Sequence, residues 1–264
     1  MQGSVISRDG TSIGYQRWGT GPALVVCHGA FSQARDWTAF AQLLGESHTV
    51  YLYDRRGRGA SPYGAAPYCL DAELDDLAAM VELAGDGCAV LGHSFGGGCA
   101  LMYALRDGFK GTLVLYEPMN SLPRQASDGH LPRLQALVAQ GELEAATVHA
   151  LTHIVRMNPA QVELMKHIPL WPAMVATAPA FVNEAAALDT ITPSLEDCRA
   201  LKARPFMLLG EASDHDPCLL CPAALVDRLR GLTLYPLRRQ GHAAYLTDPV
   251  QLTRVVRQCL ATAI

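Results

Sequence analysis

Residues 90–98, VLGHSFGGG, place a serine between two glycines where an apolar run gives way to small residues. The run before Ser94 is typical of a β-strand, and CALMYALR after the glycines has the spacing of a helix. Gly92 and Gly96 let the chain turn sharply between the two, so that Ser94 projects at a helix N-terminus. Ser94 is then a nucleophile if the chain supplies a base and an acid, and otherwise a small residue that a tight turn tolerates.

Short β-rich runs recur along the chain, and each ends in turn residues. Several are continuous Val/Leu runs, which is typical of strands covered on both faces. The first two contain interleaved polar residues and indicate an antiparallel opening ribbon. The predicted strands are 4–7, 12–17, 23–28, 49–54, 87–92, 111–116, 204–210 and 232–238.

Helical patterns separate the later strands, so the sequence predicts an α/β protein whose mainly parallel sheet has helices on both faces. One stretch, about 119–200, has only helical segments punctuated by prolines. We expect residues 1–118 and 201–264 to form the core. Residues 119–200 are expected to form a helical cap inserted after the sixth strand.

Composition narrows the class of protein. The chain has 264 residues, 50% of them hydrophobic, and a formal net charge of −4, which suits one large domain without a basic groove for nucleic acid. We find no signal-peptide pattern and no apolar run of membrane-spanning length, and so expect a cytoplasmic protein. Cys218 and Cys221 form a C-x-x-C pair without a second ligand pair, so we expect no metal.

A serine nucleophile needs a base within hydrogen-bond reach. His242, in RRQGHAAY, follows the last predicted strand and precedes the final helix, which places it at the same carboxyl edge as Ser94. His93 is adjacent to Ser94, but neighbours on a turn point apart. His28, at the end of the third strand, is expected to orient its own loop.

The acid has three candidates in the sequence. Asp214 and Asp216 lie in the loop after the seventh strand, and Glu117 closes the sixth. All three are within reach of the His242 loop. A turn cap is the plain structural alternative for the aspartates. Glu117 ends an apolar strand, where an unpaired carboxylate is costly.

In their order along the chain, HGAFSQARDW, YDRRGRGASP, GHSFGGG, LYEPMN, LLGEASD and QGHAAY resemble the α/β-hydrolase superfamily, in its serine-nucleophile branch with a helical cap. The resemblance implies an α/β-hydrolase fold with an eight-stranded sheet. It makes Ser94 the nucleophile, His242 the base, and the backbone N–H groups of Ala30 and Phe95 the oxyanion donors. The arginine-rich stretch 54–59 is similar to a structural loop of the family.

The chain departs from the family at the acid. Many members have an Asp three residues after the glycine that ends the seventh strand, and that position is Ser213 here. One branch of the haloalkane dehalogenases has a Glu at the end of the sixth strand, which Glu117 matches. We favour Asp214, with Glu117 as the alternative and Asp216 third.

The expected function is a cofactor-independent serine hydrolase acting through an acyl-enzyme on a small or medium, apolar ester or acyl compound. Phe31, Trp37 and Trp171 are expected to line its pocket. C–C cleavage, elimination or cyclisation by the same residues is the alternative, and a non-catalytic ligand-binding protein is a third. We expect a small-molecule substrate, no nucleic-acid or membrane partner, and a monomer or homodimer.

Overall fold

A computed structural model describes residues 1–122, 124–213 and 225–262. Its centre is an eight-stranded sheet in the order β1-β2-β4-β3-β5-β6-β7-β8. All the predicted strands are present, and their bounds differ from the predictions by two residues at most. The strands are β1 Gln2–Ile6, β2 Ser12–Trp18, β3 Ala23–Cys27, β4 Thr49–Tyr53, β5 Ala89–His93, β6 Thr112–Tyr116, β7 Arg204–Gly210 and β8 Thr233–Leu237.

The sheet is antiparallel only at its beginning. β1 pairs with β2, and β2 with β4, in antiparallel register, which confirms the opening ribbon. From β3 to β8 every pairing is parallel. The carboxyl ends of β5, β6, β7 and β8 therefore meet at one edge, where loops from distant parts of the chain come together.

Helices cover both faces of the sheet because side chains alternate along each buried strand. In β3, Leu24 and Val26 pack on one face, while Val25 and Cys27 pack on the other. The helices around this core are α1 Thr38–Leu44, α2 Leu70–Ala84, α3 Phe95–Arg106, α10 Ala244–Thr247 and α11 Pro249–Ala261, with a 3-10 turn at Ala34–Trp37. None of the helices in the described part of the chain is long and apolar enough to cross a bilayer.

The β6–β7 segment, residues 117–203, is helical where the structure describes it. Its helices between residues 131 and 188 share an apolar cluster with Phe31, from the loop after β3. The helices of the segment are α4 Leu131–Ala139, α5 Leu143–His149, a π-helical turn Ala150–Ile154, α6 Pro159–Met165, α7 Trp171–Ala176, α8 Ala178–Leu188 and α9 Leu195–Ala200.

Candidate active site

Ser94 lies in the turn between β5 and α3 with φ +55° and ψ −124°, a backbone conformation that is strained for a residue with a side chain. The flanking glycines permit the close approach of neighbouring backbone. A Cβ on Gly92 would lie 2.6 Å from the carbonyl oxygen of Gly96, and one on Gly96 only 2.3 Å from that of Cys27. The motif therefore allows tight packing, while the positive φ falls on Ser94 itself.

His242 lies in the loop between β8 and α10, and its imidazole contacts a carboxylate. Nδ1 of His242 is 2.6 Å from Oε2 of Glu117. Glu117 follows β6 directly, and its side chain is 1% exposed, whereas that of His242 is 24% exposed. The contact fixes Nδ1 as the donor, because an ionised carboxylate only accepts. Nε2 is then the nitrogen that can act as a base.

The carboxylate of Glu117 is held by further donors. Oε1 accepts from the backbone N–H of Gly210 at 2.8 Å and from the hydroxyl of Ser213. Burial alone would raise the pKa of Glu117, but the hydrogen bonds and the charge of His242 outweigh it and lower the pKa. Glu117 therefore stays ionised and can stabilise an imidazolium.

Two residues that the sequence analysis did not assign hold the His242 loop. Nε2 of His93 lies 2.8 Å from the carbonyl oxygen of His242 and donates to it. The hydroxyl of Tyr116 donates to the carbonyl oxygen of Gly241 and accepts from the N–H of Ala244 at 3.0 Å. The β5 and β6 strand ends therefore hold the backbone on both sides of His242.

The loop after β3 lies against Ser94. A Cβ on Gly29 would be 2.9 Å from Cβ of Ser94, so only glycine permits this approach. Ala30 is the next residue in the loop. Phe95 is the first residue of α3, so its N–H has no acceptor within the helix. The helix N-terminus also favours negative charge at this point.

His28 orients this loop, as the sequence analysis expects. Its Nδ1 donates to the carbonyl oxygen of Gly29 at 2.8 Å, and its Nε2 accepts from the N–H of Arg55 at 3.2 Å. Burial and the charges of Arg55 and Arg58 keep the pKa of His28 well below its usual range. His28 is therefore neutral.

The aromatic residues predicted for the pocket lie in two different places. Phe31 packs on Phe181 with ring centroids 4.5 Å apart and ring planes tilted by 31°, and it shares an apolar cluster with Trp171. Trp37 is fully buried on the sheet face covered by α1 and α11, and it stacks on Tyr245 at 4.4 Å. These are the contacts of a core residue, so we place Trp37 outside the pocket.

The other acids proposed from the sequence, Asp214 and Asp216, lie outside the described residues, as do Cys218 and Cys221. Across residues 1–122, 124–213 and 225–262, no three His, Cys, Asp or Glu side chains are grouped as metal ligands.

The arginines of the loop after β4 are buried in ion pairs. The guanidinium of Arg56 contacts Asp76 at 2.6 Å and Asp9 at 2.9 Å. Arg55 contacts Glu73 at 3.0 Å, and both Arg55 and Arg58 contact Glu184. The basic stretch thus makes contacts inside the protein, as a structural loop does.

Residues 24–255 match the model of the alpha/beta hydrolase family. The chain belongs to this family. An alpha/beta hydrolase from Sphaerobacter thermophilus has a similar structure, with a TM-score of 0.86 and 30% identity, covering 97% of this chain and 99% of that one. This family membership confirms the predicted fold.

Two curated relatives match over a shorter length. The lipase LipV of Mycobacterium tuberculosis is 40% identical over 111 residues, which are 40% of this chain and 42% of that protein. The bifunctional esterase/perhydrolase DCH of Acinetobacter calcoaceticus is 37% identical over 108 residues, 39% of each chain. The chain thus matches about two fifths of the length of these relatives.

Proposed function

We propose that this protein is a serine hydrolase that cleaves esters through an acyl-enzyme, with Ser94 as nucleophile, His242 as base and Glu117 as acid. One observation carries the proposal: Nδ1 of His242 lies 2.6 Å from the buried carboxylate of Glu117. The loop that contains His242 is held by a hydrogen bond from His93, the residue before Ser94. A serine hydroxyl is a weak nucleophile without such a base. Asp214 remains the competing acid from the sequence.

In the proposed reaction, Ser94 Oγ attacks the ester carbonyl carbon while Nε2 of His242 takes the hydroxyl proton. The carbonyl oxygen becomes an oxyanion, which the N–H groups of Ala30 and Phe95 stabilise. As the C–O bond to the alcohol breaks, His242 returns the proton to the alcohol. Water then attacks the acyl-enzyme while His242 takes its proton, and His242 returns that proton to Ser94 Oγ as the bond between Oγ and the acyl carbon breaks and the acid leaves. The reaction needs no cofactor.

The apolar side chains packed around Ala30 support a substrate class. Phe31 contacts Phe181 of α8, and the same apolar cluster contains Trp171 and Met174 of α7. We propose that the β6–β7 segment caps the site and that Phe31, Trp171 and Met174, which keep 6–7% of their surface exposed, form an apolar wall for the acyl group. The fully buried Phe181 supports Phe31 in this wall. Esters with short or medium aliphatic acyl groups fit this description best.

A fluorophosphonate probe tests the nucleophile. We expect one covalent adduct per chain, located at Ser94 by peptide mass spectrometry, together with hydrolysis of p-nitrophenyl butyrate. Ser94→Ala should abolish both. Ser7→Ala is the control. Ser7 is as buried as Ser94, with 3% and 4% of their surfaces exposed, but it follows β1 at the edge of the sheet and should not react.

Two outcomes would contradict the proposal. An adduct at any residue other than Ser94 would remove the nucleophile. Turnover of an identified substrate by Ser94→Ala would favour lyase or cyclase chemistry at the same site, since such chemistry does not require an acyl-serine.

A further inference from the structure

Helix α8 of the β6–β7 segment contacts two loops through two side chains, Phe181 on the loop after β3 and Glu184 on the loop after β4. Phe181 packs on Phe31, the residue after Ala30. Glu184 is three residues further along α8 and so lies on the same face of the helix. Its carboxylate is buried against the arginines of the loop after β4. One helical face thus contacts both the loop after β3, at Phe31, and the arginines of the loop after β4.

Glu184 is held between two cations. Its Oε1 accepts from Nη2 of Arg55 and from Nη1 of Arg58, and its Oε2 accepts from Nη2 of Arg58 at 2.8 Å. Burial alone would raise the pKa of Glu184, but the two arginines outweigh it and lower the pKa. The bidentate contact with Arg58 fixes the carboxylate, and the charge-assisted bond from Nη2 of Arg55 to this fixed carboxylate orients Arg55.

Arg55 in turn contacts both residues next to the proposed oxyanion site. Nη2, the nitrogen that Glu184 binds, also donates to the carbonyl oxygen of Gly29 at 3.4 Å. The guanidinium carbon lies 4.7 Å from the ring centroid of Phe95, over its face. The opposite nitrogen, Nη1, binds Glu73 at 3.0 Å and does not reach Gly29 in the described contacts.

The carbonyl of Gly29 and the N–H of Ala30 belong to one peptide unit. In a trans peptide the two groups point in opposite directions. Arg55 and His28 both donate to the Gly29 oxygen, and by holding it they aim the Ala30 N–H the other way. A cationic donor on the carbonyl also polarises the peptide and strengthens its N–H as a donor.

We propose that Glu184 is a positioning residue for the oxyanion donor, acting through Arg55 on the Gly29–Ala30 peptide. The inference rests on the proposed function of Ser94. It makes the donor strength of Ala30 depend on a side chain of the β6–β7 segment, so that seating of α8 completes the oxyanion site. Glu184 itself does not touch the reacting atoms.

Glu184→Gln tests the proposal, because it keeps the side-chain size and removes the charge. We expect kcat for p-nitrophenyl butyrate to fall by about tenfold or more, with KM changed by less than about threefold. The affinity for a trifluoromethyl ketone, which forms an oxyanion on Ser94, should fall by the same factor as kcat/KM. The affinity for butyramide, which stays trigonal, should not change. A purely structural role would not separate the two ligands.

Glu73→Gln is the matched control, since it removes an equally buried carboxylate from the other nitrogen of Arg55. It should reduce stability without selectively weakening ketone binding. Arg55→Lys keeps the charge that balances the two glutamates but loses the nitrogen on Gly29. It should therefore reproduce the loss of ketone affinity even if Glu184→Gln does not fold.

Wild-type ketone affinity and kcat in folded Glu184→Gln or in Arg55→Lys would overturn the inference, as would an equal selective loss in Glu73→Gln. Failure of the proposed function itself would give a different result. In that case the wild-type protein itself would not form the fluorophosphonate adduct at Ser94.

Discussion

Oε2 of Glu117 lies 2.6 Å from Nδ1 of His242, across 125 residues of sequence. The contact joins the residue after β6 to the loop after β8, and β7 runs between the two strands. Ser213, in the loop after β7, donates to the other oxygen of the same carboxylate. The loop that supplies the acid in many family members here supplies a hydroxyl that binds Glu117, the carboxylate after the neighbouring strand.

Glu117→Gln should therefore lower kcat by about 10³- to 10⁴-fold, because the amide cannot stabilise an imidazolium and does not fix its tautomer. KM for the same ester should change little. Steady-state kinetics with p-nitrophenyl butyrate measure both parameters, and circular dichroism checks the fold.

Asp214→Asn is the comparison for this prediction, since the sequence favours Asp214 as the acid. We expect kcat of Asp214→Asn within about threefold of the wild type. If Asp214→Asn is inactive and Glu117→Gln retains activity, the acid follows β7 and the assignment from the structure is wrong.

The fold could be predicted because its signals are local. Apolar runs such as those of β5 and β6 are contiguous, and the turn at Ser94 carries its own glycines. Strand order along the chain then places Ser94 and His242 at one edge. The acid was harder to predict, because Asp214, Asp216 and Glu117 all follow neighbouring strands. The path of a loop decides which carboxylate faces the imidazole.

Contacts between residues far apart in the sequence were harder to predict, because the sequence contains only weak signals for them. Glu184 lies 129 residues from Arg55, and nothing in the spacing of either predicts the pair. The one available signal was chemical: a lone glutamate in the apolar helix APAFVNEAAAL is costly when buried unless a cation meets it. The prediction that Trp37 lines the pocket had a different weakness. An aromatic residue near a motif looks the same in sequence whether it lines a pocket or lies in the core.

Ser213→Asp should restore part of the activity that Glu117→Gln loses. Ser213 already reaches the carboxylate of Glu117, and an aspartate there would occupy the usual acid position of the family. We expect kcat of the double variant to exceed that of Glu117→Gln by about tenfold or more. Ser213→Asn in the same background, which has the shape but no charge, should give no recovery.

The single variant Ser213→Asp should have the opposite effect. It would place a second carboxylate against Glu117, and like charges at such a distance raise the pKa of one of them and disfavour the imidazole geometry. We expect lower kcat than in the wild type, measured at neutral pH. Increased activity in the single variant would mean that Glu117 does not serve His242.

The stability of the protein should depend on pH through Glu117. Its pKa is lower in the folded protein than in the unfolded chain, where it is about 4.3. As pH falls below that value, the unfolded chain binds the proton first, so the stabilisation by Glu117 is present above the unfolded pKa and lost as pH falls through the folded pKa. The difference in free energy of unfolding between wild type and Glu117→Gln should shrink from about pH 5 downward.

Urea titrations at several pH values between neutral and strongly acidic measure this difference. Ser94→Ala retains the Glu117 pair and should follow the wild-type curve. Parallel curves for wild type and Glu117→Gln would show that the carboxylate has no lowered pKa in the folded protein.

Trp37→Phe and Phe31→Leu should separate the core from the pocket. The indole nitrogen of Trp37 has no hydrogen-bond partner in the described structure, so phenylalanine loses only volume and its packing on Tyr245. We expect Trp37→Phe to lower the free energy of unfolding by about 1–3 kcal/mol.

The second measurement is substrate preference, the ratio of kcat/KM for p-nitrophenyl acetate to kcat/KM for p-nitrophenyl octanoate. In Trp37→Phe this ratio should stay at the wild-type value. Phe31→Leu should change that ratio, because Phe31 follows Ala30 and belongs to the proposed apolar wall. A shifted ratio in Trp37→Phe with an unshifted one in Phe31→Leu would exchange the two assignments.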